Sequence, residues 1–456
     1  MILFYRIIVL TLSFVSIISI MISSEKLPQN LVVLPLVFVC LYFLLPMFSR
    51  YMFNNIGITI VNLTMLIRYT ISPLLMSIYG VNVSIGSSTS IDSQTKAIYL
   101  MLFEMVSIIV FFSLFSKKFY NNENKIEKNI AKPNPIGWLF IILSILIVVA
   151  QPEVINRYTF IWSASELKTS NIEIGSIAFL VVQLAQIILT ISLLNFLYGI
   201  YEKKKNVIYL ILSFLVVGIS ASFISGTSRF SIVLPLVTGL FIIYILYKDY
   251  RKIILFCSAF LSFLLILTST LLKKNTISSQ VGFNSSITGS SFEKLNSELQ
   301  LYFSGVVNVS HAIDTSYYYS PFQLGSIISE LLRSVVFVNS LFDSQNGALN
   351  IFNEVFYNKV LVSDQILPMV GQGFLYFGPI LAPIFSIASI LSVMYLDNKV
   401  HSSNSIFKKY IMTYLCVKFA LFFMANATIQ ISFFTNFFLV LLVINYLNNK
   451  LTLKKV

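Results

Sequence analysis

A single arginine lies in a short polar interruption between two apolar runs. The stretch SFISGTSRFSIVLPL, residues 222–236, contains Gly226, small hydroxyl residues and Arg229. A guanidinium group binds two oxygens of a phosphate at once, and backbone N–H groups at a helix start add positive potential. Arginines also anchor helices at membrane surfaces. The sequence leaves two interpretations of Arg229 open, an anion-binding residue and an interfacial anchor.

Three further charged residues stand inside apolar runs: Arg68 in NLTMLIRYTISPLL, Glu104 in YLMLFEMVSII and Lys418 in YLCVKFALFF. A charge at the centre of a membrane helix costs about 2.5–3.5 kcal/mol unless it is paired or hydrated. Arg68 and Glu104 belong to consecutive runs, so they could form a structural ion pair, or Glu104 could hold Arg68 towards a polar cavity. Lys418 could extend to the membrane surface or line a cavity.

Candidate proton acceptors lie in one long segment between apolar runs, residues 273–374. A carboxylate or an imidazole can take the proton of an attacking hydroxyl, and the candidates are Glu330, His311 and Asp364. Each also has a structural interpretation: Glu330 could pair with Arg333, His311 could be a hydrogen-bonded structural residue, and Asp364 could order a turn. Arg333 could bind a phosphate or a glycan, or lie on a hydrated helix face.

The composition places these residues in a membrane protein. The chain of 456 residues is 57% hydrophobic and 11% charged, whereas an ordinary soluble domain carries about 25% charged residues. A chain this poor in charge cannot cover a water-facing surface. The cysteines lie inside apolar runs and the two histidines are far apart, so we expect no metal site and no cofactor.

Apolar runs long enough to cross a bilayer number about twelve, since a spanning helix needs roughly 20 mostly apolar residues. The predicted spans are 3–22, 31–48, 56–79, 97–115, 136–150, 175–199, 206–225, 230–247, 253–272, 376–396, 409–427 and 430–448. A polar hinge around Asn426, Thr428 and Gln430 separates the last two. We interpret the first run as a retained span rather than a cleaved signal peptide. The expected fold is therefore an all-α polytopic membrane protein.

The orientation follows from lysines and arginines in the short loops. If the N-terminus is cytoplasmic, alternate loops are basic, for example KKFYNNENKIEKNIAK at 117–132 and YKDYRK at 247–252. Both termini are then predicted to be cytoplasmic. The net charge of +13 is explained by contact with anionic lipid headgroups, and nothing indicates nucleic acid as a partner.

The predicted organisation has three parts: spans at 1–272, a large outer-face loop at 273–375 and further spans at 376–456. A loop of roughly 100 residues is uncommon without a role. Within it, 326–343 predicts an interfacial amphipathic helix or a lid packed on the helix bundle, with Glu330 and Arg333 on the polar side. Its apolar face carries Ile328, Leu331, Leu332, Val335, Val338 and Leu341. A second helical stretch is predicted at 291–314.

Several patches carry a family resemblance. They are LIRYTISPLL at 66–75, LFEMVS at 102–107, SGTSRFSIVLPL at 225–236, LYFSGVVNV at 301–309 and NIFNEVFYNKVLVSDQILPMVGQGFLYFGPILAPIFS at 350–386. Together with the many spans and the single large late loop, they resemble the O-antigen and capsule polymerases of bacteria, the Wzy family of oligosaccharide repeat-unit polymerases. The resemblance covers most of the chain in topology and only these patches in sequence.

The resemblance implies a glycosyltransferase of GT-C-like architecture on the outer face of the bacterial cytoplasmic membrane. Such enzymes transfer the growing glycan from undecaprenyl diphosphate onto the incoming lipid-linked unit, and their partners include membrane lipids, a chain-length regulator and a flippase. In this chain, the implied diphosphate-binding residues are Arg229, Arg68 and Arg333, and the implied supporting residues are Glu104 and Lys418. The candidates for catalytic proton transfer are Glu330, His311 and Asp364.

Two other functions share this topology. A lipid-linked oligosaccharide flippase is usually built from two similar halves with short loops, and this chain has no visible halves and one large loop. A glycan ligase related to the O-antigen ligases would share the arginine chemistry and differ in its acceptor. Catalysis without a metal ion is expected for the polymerase.

Overall fold

The computed structural model describes residues 2–23, 27–81, 87–120, 134–160, 177–225, 230–258, 291–336, 338–342, 347–357 and 365–453. Helices make up nearly all of the regular structure in these ranges. In chain order they are α1 Ile2–Ile22, α2 Val33–Leu44, α3 Met47–Arg50, α4 Ile56–Leu66, α5 Ser72–Tyr79, α6 Ile91–Tyr120, α7 Pro135–Ala150, α8 Ile177–Lys204, α9 Ile208–Ser222, α10 Phe230–Leu246, α11 Lys248–Ser258, α12 Ser291–Tyr302, α13 Val306–Thr315, α14 Leu324–Arg333, α15 Ala348–Phe356, α16 Met369–Leu381, α17 Ile384–His401, α18 Ile406–Ala420, α19 Ala427–Phe433 and α20 Leu439–Leu453.

Five helical segments in the described ranges are long and apolar enough to cross a membrane. They are Ile2–Ile22, Ile56–Tyr79, Ile91–Tyr120, Ile177–Lys204 and Ala427–Leu451. The number rises to seven if each of two bent helix pairs is one span. The expectation of an all-α membrane protein is confirmed, whereas these segments fall short of the twelve predicted spans. Shorter apolar helices, α2, α7 and α9, occupy three other predicted spans.

The chain forms two compact units, each assembled from separate stretches of sequence. The first consists of Met1–Glu123, Ile287–Asn398 and Lys418–Ser432. The second consists of Asn124–Ser286, Lys399–Val417 and Phe433–Val456. The three charged residues that the sequence places inside apolar runs, Arg68, Glu104 and Lys418, are buried and all belong to the first unit.

The second unit contains the one strand pair of the described residues. Strand β1, Tyr158–Phe160, runs antiparallel to β2, Phe223–Ser225, with Tyr158 opposite Ser225. At the start of α7, the Asn134 side chain accepts a hydrogen bond from Gly137 N–H at 3.1 Å and donates one to Ser192 on α8 at 3.0 Å. This cap satisfies a free N–H group of the helix and ties α7 to α8.

In the first unit, α4 continues into α5 through a π-helical turn at Ile67–Ile71, which contains Arg68. A carboxylate that is distant in the sequence caps the N-terminus of α4. Asp397 of α17 accepts hydrogen bonds from Gly57 N–H at 3.0 Å and Ile58 N–H at 3.1 Å. A carboxylate is favourable at this position because unpaired N–H groups make a helix N-terminus electropositive. The contact fixes the span that carries Arg68 against α17.

In its described residues, the predicted loop segment is folded into short helices, and two of its predicted elements differ from the structure. The predicted helix at 291–314 is broken between α12 and α13, where Ser304 has a φ of 51°. The predicted helix at 326–343 ends at Arg333. Its buried face carries Ile327 and Glu330, whereas Ile328 and Leu332 of the predicted apolar face are exposed. A helix face is chosen by what it packs against, and a ten-residue pattern does not contain that information.

The predicted span at 376–396 is instead a bent pair, α16 and α17, which meet at 105°. Gly378 has a φ of 75°, a value that favours glycine, and Pro379 follows it. A Cβ at Gly373 would lie 2.1 Å from the carbonyl oxygen of Ala382. The chain therefore folds back so closely on itself that only a glycine fits at position 373.

We expect Gly373→Ala to destabilise the protein by about 1–3 kcal/mol, because the added methyl group meets a backbone carbonyl that cannot move independently. Gly325→Ala is the matched control, since a Cβ at Gly325 has no atom within 4 Å. The measurement is the unfolding midpoint of both variants in detergent. Equal midpoints for the two variants would contradict the close approach of α16 to Ala382.

The predicted span at 409–427 is interrupted as well. Helix α18 ends at Ala420, and α19 begins at Ala427. Between them, the Asn426 side chain accepts hydrogen bonds from Thr428 Oγ1 at 2.6 Å and from Ile429 N–H at 2.8 Å. The polar sequence around Asn426 is therefore the N-cap of a new helix. Breaks of this kind inside apolar segments place backbone polar groups within the apolar layer.

Candidate functional site

Arg68 and Glu104 form a buried ion pair between two candidate spans. Nη2 of Arg68 lies 2.8 Å from Oε2 of Glu104, and the side chains are 1% and 0% exposed. Arg68 lies near the middle of Ile56–Tyr79, and Glu104 lies near the middle of Ile91–Tyr120. The structure thus confirms the predicted contact between the two charges. A pair in this position offsets the cost of each charge in the apolar layer.

Other side chains complete the surroundings of the pair. Ser386 of α17 donates a hydrogen bond to Oε1 of Glu104. The guanidinium carbon of Arg68 lies 4.4 Å from the centre of the Phe423 ring, in the break between α18 and α19. The Tyr69 ring meets Phe423 edge to face at 6.0 Å. We call Arg68, Tyr69, Glu104, Ser386 and Phe423 the Arg68 site.

Two donors of the Arg68 site have no hydrogen-bond partner among the described residues: the Nε–H of Arg68 and the hydroxyl of Tyr69. Both side chains are buried and both pack against Phe423. Native proteins rarely leave buried donors unpaired, because each one costs free energy. The unmatched groups are donors, so the ligand that would satisfy them is an acceptor-rich group such as a phosphate.

The π-helical turn explains how consecutive residues come to face one aromatic ring. A π turn inserts an extra residue into a helix and shifts the side chains that follow it, and such turns occur frequently at functional sites. Arg68 and Tyr69 both lie in the turn Ile67–Ile71. The sequence RY at 68–69 gave no sign of this irregularity, because its apolar surroundings match an ordinary span.

A second polar contact lies one helical turn further along α17. Ser389 donates to Oε1 of Gln430 at 2.9 Å, and Nε2 of Gln430 has no partner among the described residues. Oε1 of Gln372 accepts from Ala427 N–H, the first residue of α19, at 2.7 Å. Because Ser386 and Ser389 are three residues apart, α17 carries the Glu104 and Gln430 contacts on one face.

We expect Tyr69→Phe to stabilise the protein by about 1 kcal/mol, because it removes a buried hydroxyl that makes no hydrogen bond and keeps the ring. The matched control is Tyr376→Phe. The Tyr376 hydroxyl accepts from Gln372 at 3.0 Å and bonds to Glu330, so its loss should destabilise. Unfolding free energies of both variants in detergent give the test. A loss of stability in Tyr69→Phe would mean that the hydroxyl has a partner.

Glu330 is held as the cap of another helix. Its carboxylate accepts hydrogen bonds from Ala348 N–H at 2.8 Å and Leu349 N–H at 3.1 Å, at the start of α15. Burial raises the pKa of Glu330 above its ordinary range, and the Tyr376 hydroxyl and the two N–H groups act against this shift. These contacts give Glu330 a structural role, because its oxygens are engaged by the protein itself.

His311 lies inside the first unit, on α13. The side chain is 1% exposed, its ring centre lies 4.6 Å from that of Phe356, and neither ring nitrogen has a hydrogen-bond partner among the described residues. The described contacts therefore do not show the hydrogen bond that the structural interpretation of His311 predicted. Burial lowers the pKa of His311 to about 4, so its imidazole is neutral near pH 7. Glu330 and His311 contact opposite ends of α15.

The buried imidazole predicts a pH-dependent loss of stability. The pKa of His311 is lower in the folded state, about 4, than the ordinary value of 6.5, so the unfolded chain binds the proton more strongly. Stability should fall as the pH drops below 6.5, by about 2 kcal/mol from this group between pH 7.5 and pH 5. Unfolding at both pH values, for the parent and for His311→Leu, isolates this contribution. An identical pH dependence in the two proteins would contradict it.

The remaining predicted residues divide into two groups. Lys418 is buried in the last turn of α18, and Arg333 is exposed in the last turn of α14. Arg229 and Asp364 lie outside the described residues. Among the residues that the structure describes, no group of three or more His, Cys, Asp or Glu side chains could hold a metal ion.

Several residues of the site could not be found from the sequence. Ser386 is 282 residues from its partner Glu104, and serines in apolar helices commonly bond to their own backbone. Phe423 is one of 41 phenylalanines. The only available signal was the break around Asn426, which indicated an interruption near Phe423 without indicating its partner.

Comparison of the chain with known protein families, with curated proteins and with solved structures gives no match.

Proposed function

We propose that this protein is a bacterial glycosyltransferase that polymerises oligosaccharide repeat units carried on undecaprenyl diphosphate into a surface polysaccharide. The proposal includes a GT-C-like arrangement with about twelve spans, both termini in the cytoplasm, and reaction on the outer face of the cytoplasmic membrane. Two kinds of observation support it: the resemblance of the sequence patches to the Wzy polymerases, and the chemistry of the Arg68 site.

The observation that carries the proposal is a fixed cation with unused donors inside the apolar layer. Arg68 is oriented by Glu104 at 2.8 Å, and its Nε–H and the nearby Tyr69 hydroxyl have no acceptor among the described residues. A diphosphate that carries a polyprenyl chain would enter from the bilayer and bring acceptor oxygens. Donors that are already in place act more strongly in a water-poor site than in water.

The reaction assigns a role to each charged group. The hydroxyl of the acceptor sugar attacks the anomeric carbon of the donor, and the bond between that carbon and the diphosphate oxygen breaks. The electron pair leaves with the lipid diphosphate, whose added negative charge is stabilised by Arg68 and, in this proposal, by Arg229 and Arg333. The hydroxyl proton passes to a carboxylate or an imidazole.

Three residues remain proposed for that proton: Asp364, His311 and Glu330. The neutral imidazole of His311 is in the form that a base requires, but it is enclosed against Phe356. Glu330 would have to exchange its N–H partners for the substrate. Asp364 lies outside the described residues. Lys418 is proposed as a supporting cation, and Glu104 as the group that positions Arg68.

The test uses the purified protein in nanodiscs with lipid-diphosphate-linked repeat unit as sole substrate. A ladder of polymer on a gel is expected from the parent, also in the presence of a chelator, and no ladder from folded Arg229→Ala. Arg251→Ala, which removes an arginine on the predicted cytoplasmic side, serves as the matched control and should give the parent ladder. If the folded parent gives no ladder but scrambles the lipid-linked unit across liposomes, the protein is a flippase and the proposal is wrong.

A further inference from the structure

Helix α14 carries an apolar face that no described residue covers. Leu324, Ile328 and Leu332 recur every four residues, so they lie along one side of the helix. Their exposed fractions are 62%, 52% and 37%. A stripe of this kind on a segment outside the candidate spans is unusual for a water-facing surface.

The opposite side of α14 is fixed to the protein. Ile327 is buried in a cluster with Phe352 and Tyr376, and Glu330 caps α15 through two N–H groups. Turning the helix to bury Leu324 and Ile328 would break both contacts. The contacts of the opposite side therefore fix the exposure of the apolar face, and another apolar surface has to cover it.

The apolar face is continuous with the bend of the broken helix pair. Phe322, two residues before α14, donates its N–H to the carbonyl of Tyr376 at 2.8 Å. Its ring is the nearest group to Gly378, at 4.0 Å from the position of a Cβ there. Just beyond Gly378, Ile380 and Leu381 are exposed. Together, α16 and α17 are apolar enough to cross a bilayer as a broken span or to enter it as a re-entrant loop. The apolar face of α14 therefore lies beside a surface that lipid would contact.

We propose that α14 lies in the interfacial layer of the bilayer, with Leu324, Ile328 and Leu332 among the acyl chains. The partner is the lipid surface itself. An amphipathic helix at an interface lies in the membrane plane and buries its apolar side at the boundary of headgroups and chains. The exposed Arg333 at the helix end then lies at the level of the lipid phosphates. This inference is independent of the proposed polymerase activity.

The test places one tryptophan at a time in a chain that has no other. Trp138→Phe and Trp162→Phe remove both native tryptophans. Ile328→Trp and, separately, Leu332→Trp report on α14. Val110→Trp, at an exposed position of the candidate span Ile91–Tyr120, gives the lipid reference, and Asp92→Trp, at an exposed ion pair, gives the water reference. Each variant is reconstituted in liposomes, with lipids brominated on the acyl chains or with aqueous iodide as quencher.

We expect Ile328→Trp and Leu332→Trp to be quenched by brominated lipids to an extent comparable with Val110→Trp, and to be protected from iodide relative to Asp92→Trp. Quenching by iodide at the level of Asp92→Trp would show a water-facing helix and overturn the proposal. Protection from both quenchers would show that a second protein surface covers α14, and this result would also overturn it. Two tryptophan positions guard against a local distortion at either one.

Discussion

Glu104→Ala is expected to destabilise the protein by about 3–5 kcal/mol, which is the usual cost of removing one partner from a buried ion pair. Arg68 is 1% exposed and would keep its charge without the carboxylate that lies 2.8 Å away. The Phe423 ring at 4.4 Å would be left as a close electrostatic partner, and a cation–π contact offsets only a part of this cost. The measurement is the unfolding free energy in detergent, with SDS or urea as denaturant.

Two further variants separate the ion pair from a general loss of packing. Asp92→Ala breaks an exposed pair with Lys96 on the same helix, and we expect no measurable effect because both side chains are hydrated. The double variant Arg68→Met with Glu104→Gln removes both charges at similar volume, so it should recover most of the stability that Glu104→Ala loses. Full stability of Glu104→Ala alone would mean that water reaches Arg68, and the buried pair would then be refuted.

The pairing of Arg68 with Glu104 could be predicted because two costly charges stood in consecutive apolar runs. Their cost in the apolar layer made a contact between them the simplest solution. Ser386 and Phe423 of the Arg68 site come from stretches that are hundreds of residues away from the pair. Contacts of this kind depend on how the helices pack, and a single sequence carries no periodic signal for them.

The fold could be predicted in its class and in the positions of its longest helices. Composition and apolar length are physical requirements of the bilayer, so runs such as 56–79 and 175–199 correspond to helices Ile56–Tyr79 and Ile177–Lys204. One break was missed, where Gly378 with Pro379 bends the predicted span at 376–396. The other was indicated by the polar residues around Asn426, and the structure starts a new helix there, although α18 already ends at Ala420.

The orientation of α14 could be predicted only in part. The apolar stripe with Ile328 and Leu332 indicated either a helix at the membrane interface or a lid packed on the helix bundle, and the sequence alone did not choose between them. The structure buries Glu330, whose carboxylate caps the start of α15, and leaves Ile328 and Leu332 exposed. In a membrane protein, lipid competes with the protein core for apolar side chains, so the more apolar face of a helix need not point inward.

Arg68→Lys is expected to lower the rate of polymer formation by about 100-fold or more, since removing one donor that is fixed in place towards developing charge costs about 10²–10³ in rate. Lysine keeps the positive charge beside Glu104, so the stability of the folded protein should stay close to that of the parent. It lacks the planar fork and the Nε–H, which has no acceptor among the described residues. Activity and stability therefore separate in this variant.

The matched control is Arg6→Lys. Arg6 donates from Nε and Nη2 to Ser49 at 3.1 and 2.7 Å, so both of these donors are already used within the protein. We expect its polymer ladder to match that of the parent.

Initial rates with lipid-diphosphate-linked repeat unit in nanodiscs, at saturating and at limiting substrate, show whether Arg68→Lys affects turnover or binding. If Arg68→Lys forms polymer at the rate of the parent, Arg68 acts only as the structural partner of Glu104. Other cations must then bind the diphosphate. A rate loss that accompanies unchanged folding can arise only if the guanidinium meets the substrate or positions a group that does.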